Sequence, residues 1–152
     1  MTQIKFEPSN MAHWYSLIAE AEYRTNYQPN DGIKSYLILT LDKFIQDNDL
    51  STSIIGADFL IYIKELESGQ REQLRDLGDQ CLILAGLFPG HAEKRNVSVN
   101  YFIGIGQQAY LTVADKTKVK YDPVLFYDLG HQFKALTQLL HAMRLPGDFR
   151  PN

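Results

Sequence analysis

Asp76 and Asp79 stand three residues apart, as do Asp128 and His131, so on a helix each pair falls on one face. Carboxylates joined by an imidazole are ligands for a divalent metal, and helical bundles build such sites from facing helices. Asp79, Asp128 and His131 are the candidate ligands, and Asp58 can join them from an earlier segment. Bundle sites ordinarily repeat Glu-x-x-His, which this chain lacks. A plainer account needs no metal. Arg75 then pairs with Asp79 along a solvated face, and Asp128 occupies a first helical turn, where negative charge is favoured.

Gly104-Ile105-Gly106-Gln107-Gln108-Ala109 has the G-x-G-x-x-A spacing of a dinucleotide loop, and Asp122 follows at a distance suited to a ribose hydroxyl. That chemistry requires the glycines to sit between a strand and a helix N-terminus. The preceding ninety or so residues read instead as helices. Cys81 falls on an apolar stripe and reads as core filler rather than a thiolate nucleophile. No G-x-S-x-G elbow and no Walker A sequence is present. His13 reads as a surface or capping residue, and His91 lies in the polar stretch Pro89–Asn96. Basic residues gather at Lys94 and Arg95 and again at Lys116, Lys118 and Lys120, where an anion-binding rim or a merely solvated surface fits.

Those groups must be carried by one modest chain. Its 152 residues suit a single domain with a real core. At 45% hydrophobic and 22% charged, the composition is that of a globular protein rather than a disordered one. The net charge of −3 argues against a nucleic-acid partner. One cysteine allows no internal disulfide and fits a reducing compartment. The first residues lack signal-peptide features, and no apolar run is long enough to span a bilayer, so the expected location is the cytoplasm.

Six segments carry helical periodicity. The first, about 9–23, puts Trp14, Leu17, Ile18 and Ala21 on one stripe behind a Ser9 or Asn10 cap. The second, about 33–46, follows Asp31 as cap and is apolar nearly all round, with Ile38 and Leu39 beside the Tyr36, Leu37, Thr40, Leu41, Phe44 and Ile45 face. The third covers about 52–67, and its short Ser68-Gly69 link makes it an antiparallel neighbour of the next. The fourth, about 70–88, has the stripe Leu74, Leu77, Cys81, Leu84, Ala85 and Phe88, and its second half dives into the core. The fifth reads as a helix over 96–114, although Val97, Val99, Tyr101, Ile103 and Ile105 also alternate as a strand would. Helix is preferred because no partner strand is evident to satisfy the backbone. The sixth runs from Pro123 to Met143, capped by Asp122. Asp-Leu-Gly-x-Gln occurs at 76–80 and again at 128–132, and mid-helix glycine at both places implies close helix approach.

The stretch LRDLGDQCLILAGLFPGHAEKRNVSVNYF resembles a family of conserved proteobacterial proteins of unknown function, which share the acidic-Gly-Asp-Gln, LAGLFP and R-N-V-S-V-x-Y-F wording. The resemblance covers about a quarter to a third of the chain. It implies a bacterial cytosolic protein and assigns no activity. If the block is a signature, its polar residues are the site candidates: Asp76, Asp79, Gln80, Arg95, Asn96, Asn100 and Tyr101. The competing account has them knit a helix junction, with Asn96 or Ser98 as cap and Arg95 paired to Asp79.

The expected fold is all-α, an irregular bundle of about six helices in one domain over residues 1–152, with frayed ends at 1–8 and 145–152. The expected function is a non-enzymatic cytosolic binding or interaction protein that acts through a helical surface. The alternative is a metal-dependent or small-ligand enzyme using the Asp/His pairs. No cofactor is expected, a metal only under the alternative. Nine tyrosines and two nearly all-apolar helices favour a homodimer or another protein partner, without membrane or nucleic acid.

Overall fold

The computed structural model describes residues 8–46, 71–90, 98–116 and 123–143. The fold is all-α: the described elements are α1 (Pro8–Thr25), α2 (Asp31–Gln46), α3 (Arg71–Leu87), α4 (Val99–Lys116), α5 (Pro123–His131) and α6 (Phe133–Ala142). No strand occurs among the described residues. The expected 52–67 helix, its antiparallel pairing, and the frayed ends other than Pro8 lie outside them, as do Asp58, His91, Lys94, Lys118, Lys120 and Asp122.

Apolar periodicity accounts for the core. Trp14, Ile18 and Ala21 of α1 are buried, and so are Ile33, Leu37, Ile38 and Leu41 of α2. All six expected stripe residues of α3 are buried, and 81–88 is buried on every side. Buried residues from all six helices form one contiguous cluster. Leu39 departs from the all-round apolar reading of α2, since it is 59% exposed.

Three expected boundaries move. Helix α1 begins at Pro8, so Ser9 and Asn10 sit in its first turn rather than at its cap. The cap of α2 is Asn30, not Asp31: Asn30 Oδ1 accepts the Ile33 N–H at 2.9 Å, three residues on, where an orphan donor lies. The single helix expected over 123–143 is two, separated at Gln132, whose φ of −98° and ψ of 12° leave the helical well. The Gln132 side chain accepts a hydrogen bond from the Tyr27 hydroxyl, which ties this break to the α1–α2 connection.

The 97–105 alternation is settled in favour of helix from Val99 onward. Ser98 caps it, with Oγ accepting the Asn100 N–H at 3.1 Å and its carbonyl accepting from Tyr101 at 3.0 Å. Helix α4 is the centre of the arrangement and packs most extensively on α3, then on α5. It runs antiparallel to α3, since Gly78 faces Tyr110 while Cys81 faces Gly106. Gly104 and Gly106 therefore lie inside a helix, not at a strand–helix turn. A continuous helix turns its N–H groups along its own axis, so the G-x-G-x-x-A stretch has no free amides to cradle a pyrophosphate. The dinucleotide reading fails on that ground.

Both copies of Asp-Leu-Gly-x-Gln place their glycine against α4. Gly78 lies under the Tyr110 ring, and Gly130 lies under Leu111. Close approach of α3 and α5 to one central helix explains the echo in the sequence. On the far side, Lys34 of α2 reaches Glu22 of α1 at 3.0 Å, and this largely buried ion pair joins the first two helices.

Candidate functional site

The C-terminal half of α2 comes near the middle of α3, and a cleft of about 120 Å³ lies between the side chains they present. Thr40, Lys43 and Phe44 line it from α2; Asp76, Asp79, Gln80 and Ile83 line it from α3. Asp76, Asp79, Gln80 and Ile83 recur at helical spacing, so one face of α3 supplies an entire wall.

Asp79 is the centre of the site. Its Oδ1 accepts two tyrosine hydroxyls, Tyr36 from α2 and Tyr110 from α4, each at 2.7 Å. Two hydroxyls on one oxygen fix the carboxylate in direction, and Oδ2 has no hydrogen-bonding partner among the described residues. Burial pushes the Asp79 carboxyl up to about 6; the two tyrosine hydrogen bonds oppose this, Asp76 adds to it and Arg75 opposes it. Burial and the facing carboxylate raise both tyrosines far above their ordinary value, so they remain donors at any physiological pH.

Rings hold the tyrosines in place. Tyr36 meets Tyr110 edge to face at 6.3 Å, and Phe126 of α5 packs against Tyr36 at 5.4 Å and Tyr110 at 5.9 Å. Phe133 of α6 closes on Tyr110 at 5.7 Å. Tyr110 is wholly buried, and Gly78 is what lets its ring lie against α3: a Cβ there would stand 2.5 Å from the ring. Four helices beyond α3 thus contribute to the position of one carboxylate.

The remaining lining is polar and partly uncommitted. Gln80 Oε1 is buried and has no hydrogen-bond partner among the described residues. The Thr40 hydroxyl donates to the Tyr36 carbonyl at 2.8 Å, which leaves its lone pairs free to accept. At the mouth, Asp76 holds Arg75 at 3.3 Å and Lys43 at 3.5 Å, with the Lys43 side chain 60% exposed. Phe44 and Ile83 supply apolar walls.

Of the residues expected from the sequence, Asp76, Asp79 and Gln80 come together here. Asn100 and Tyr101 are exposed at the start of α4, roughly two turns along the antiparallel pair from Asp79. Asn100 serves the helix cap, and Tyr101 rests against Phe102. Arg95 and Asn96 lie outside the described residues, as does any pairing of Arg95 with Asp79. The pairing of Arg75 with Asp79 on a solvated face is replaced: Arg75 turns to Asp76, and Asp79 turns inward to the tyrosines.

The metal set does not assemble. Among the described residues no three His, Cys, Asp or Glu side chains come together. Phe126 is the α5 residue packed on Tyr36 and Tyr110, and Asp128, two residues on, is turned about 200° around the helix. Asp128 instead lies near Tyr27, whose hydroxyl is pushed up to about 12 by burial and by this charge. His131 is exposed and packs on Tyr127 at 4.3 Å.

Tyr36 and Tyr110 are the site residues that the sequence reading missed. The signal was chemical: tyrosine at a core stripe position needs a partner for its hydroxyl, and an aspartate on the facing helix is the natural acceptor. Cys81, two residues after Asp79 on the core side of α3, is fully buried with its thiol pushed up by burial, as expected of core filler.

Comparison of the chain with protein-family models, with curated proteins and with solved structures yields no match. No helix of the described residues is long and apolar enough to cross a membrane.

Proposed function

We propose that this chain is a non-enzymatic binding protein that recognises a protein partner through the surface shared by α2 and α3. The cleft around Asp79 is its point of recognition. One observation carries the reading: Asp79 Oδ2 and Gln80 Oε1 are acceptors without a partner among the described residues, beside a cleft whose carboxylate two tyrosines have already oriented. Buried acceptors are ordinarily satisfied, and a preorganised one left open is what a ligand donor completes. At about 120 Å³ the cleft is below the roughly 300–1,000 Å³ typical of small-molecule sites, which favours one group of a larger partner.

The partner is first a second copy of this chain, given the exposed Tyr23, Leu39, Val124 and Tyr127. A proteobacterial cytosol, the setting the sequence resemblance implies, is where the pairing is sought. The test places a photo-crosslinking residue at Lys43, on the cleft mouth, and separately at Ala19, exposed on α1. Adducts from position 43 and none from position 19 support the reading, and their mass identifies a self-pair or another protein. Equal adducts from both, or none from 43, remove it. Light scattering that returns a monomer at working concentration removes the homodimer.

A second reading has its own observation. A carboxyl near 6 inside a cleft suits proton transfer around neutral pH, so a small-ligand enzyme using Asp79 as general base fits the same geometry. Turnover lost in Asp79→Asn with binding retained is the result that favours it.

A further inference from the structure

The α2–α3 cleft has the wrong balance of groups for an anion or a neutral acceptor. The residues that line it carry acceptors: Asp79 Oδ2, Gln80 Oε1 and the lone pairs of the Thr40 hydroxyl. Its sides, Phe44 and Ile83, are apolar. Its one lining cation among the described residues, Lys43, pairs with Asp76, as does Arg75 beside it, so Asp79 makes no direct ion pair among the described residues. A carboxylate whose hydrogen bonds come from two neutral hydroxyls, with Arg75 acting on it only at longer range, lacks a direct cationic partner among the described residues. Apolar walls leading to a cluster of acceptors describe the complement of an alkylammonium, a short hydrocarbon stem ending in three N–H donors.

We infer that the cleft receives the side chain of a lysine presented by a partner protein, its stem between Phe44 and Ile83 and its ammonium shared by Asp79 Oδ2 and Gln80 Oε1. The inference rests on the reading of this cleft as a binding point and adds the chemistry of what enters. Size agrees: about 120 Å³ is slightly less than the ~150 Å³ that admits a benzene molecule, room for one side chain and not for a free ligand with its own scaffold. Lys43 guards the mouth only loosely, since an exposed ion pair at 3.5 Å contributes little and is readily exchanged. The occupant pairs with the ionised carboxylate, so occupancy follows the titration of Asp79. The charged and titratable groups around Asp79 are Tyr36 and, across the cleft, Lys43 from α2, Arg75 and Asp76 from its own helix and Tyr110 from α4; the α5 residue packed on the two tyrosines, Phe126, is not titratable.

The test is an amide NMR titration of the full chain with Nα-acetyl-lysine methylamide, against Nα-acetyl-norleucine methylamide as the uncharged isostere. Saturable shifts at Thr40, Lys43, Asp79 and Gln80 with the lysine probe, and binding about tenfold or more weaker with norleucine, are expected for a charge-assisted contact. Asp79→Asn, which keeps an oxygen for both tyrosines, is expected to weaken the lysine probe about tenfold or more, and Gln80→Leu several-fold. Affinity in the unmodified chain should fall about tenfold per pH unit below about 6, and this slope should vanish in Asp79→Asn. Equal binding of both probes overturns the ammonium assignment while leaving a recognition cleft. Tighter binding of Nα-acetyl-arginine methylamide reassigns the site to guanidinium and likewise overturns it. Absence of cleft shifts together with a position-43 crosslink overturns the lysine inference alone; absence of both overturns the binding reading with it.

Discussion

A carboxylate that takes two hydroxyls on one oxygen couples its protonation to the stability of the fold. Asp79 holds its proton up to about 6 in the folded protein, against 3.8 ordinarily, so the folded state binds that proton more tightly than the unfolded chain does. Stability from this group is therefore full below about pH 4 and is lost as pH rises to about 6, a change on the order of 1–3 kcal/mol. Asp79→Asn should remove that slope and leave the chain as stable or more stable at neutral pH, read by urea midpoints across the window. Tyr110→Phe takes one hydroxyl from the buried carboxylate and should cost about 1.5–3 kcal/mol while raising the Asp79 carboxyl further. Thermal unfolding measures the first effect, and the Asp79 side-chain carbon shift against pH measures the second. Cys81, two residues from Asp79 and wholly buried, should resist thiol reagents in the native protein and react fully once it unfolds.

Helices bring that residue into position by approaching one another closely, and glycine sets the distance. Gly106 faces the Phe133 ring and the Cys81 Cβ, where an added methyl would stand 2.2 and 3.0 Å away; Gly104, two residues earlier, faces open space. The two positions should therefore respond with opposite sign. Gly106→Ala is expected to cost about 1–3 kcal/mol or more by overpacking. Gly104→Ala should stabilise by about 0.5–1 kcal/mol through helix propensity alone. Thermal melts of the two variants check both. The same pair of glycines supplied the dinucleotide-like spacing in the sequence, and their opposite surroundings show why spacing was insufficient: one glycine spaces helices, and the other merely occupies a solvent face. Stripe positions such as Leu77, Cys81, Leu129 and Phe133 were legible because burial follows a 3.6-residue period whatever the partner. The break at Gln132 was not legible, because Tyr27, more than a hundred residues earlier, holds its side chain.

Across the whole molecule, α4 is the element on which the others depend. It meets α3, α5 and α6, and carries Tyr110 into the cluster of Tyr36, Phe126 and Phe133 that surrounds Asp79. The α2–α3 cleft is thus supported from behind by the core. A ligand that pairs with Asp79 Oδ2 would find the carboxylate already oriented, so binding would order little and its cost would fall mainly on the partner.

Helical class, the buried stripes and the close contacts made at Gly78 and Gly130 followed from the sequence, because local periodicity and the steric demand of a missing Cβ are properties of the chain itself. Asp76, Asp79 and Gln80 were also visible there as a polar set on one helix. Which way Asp79 faces was not. Its spacing from Arg75 allowed a surface ion pair, and its spacing from Asp76 allowed a metal-like pair with Asp128 and His131. Only the packing of α2 and α4 on α3 brought Tyr36 and Tyr110 to its oxygen, and only the rotation of α5 turned Asp128 and His131 away. Hydrogen bonds between residues dozens of positions apart leave no period in the sequence, and tertiary packing alone decides them.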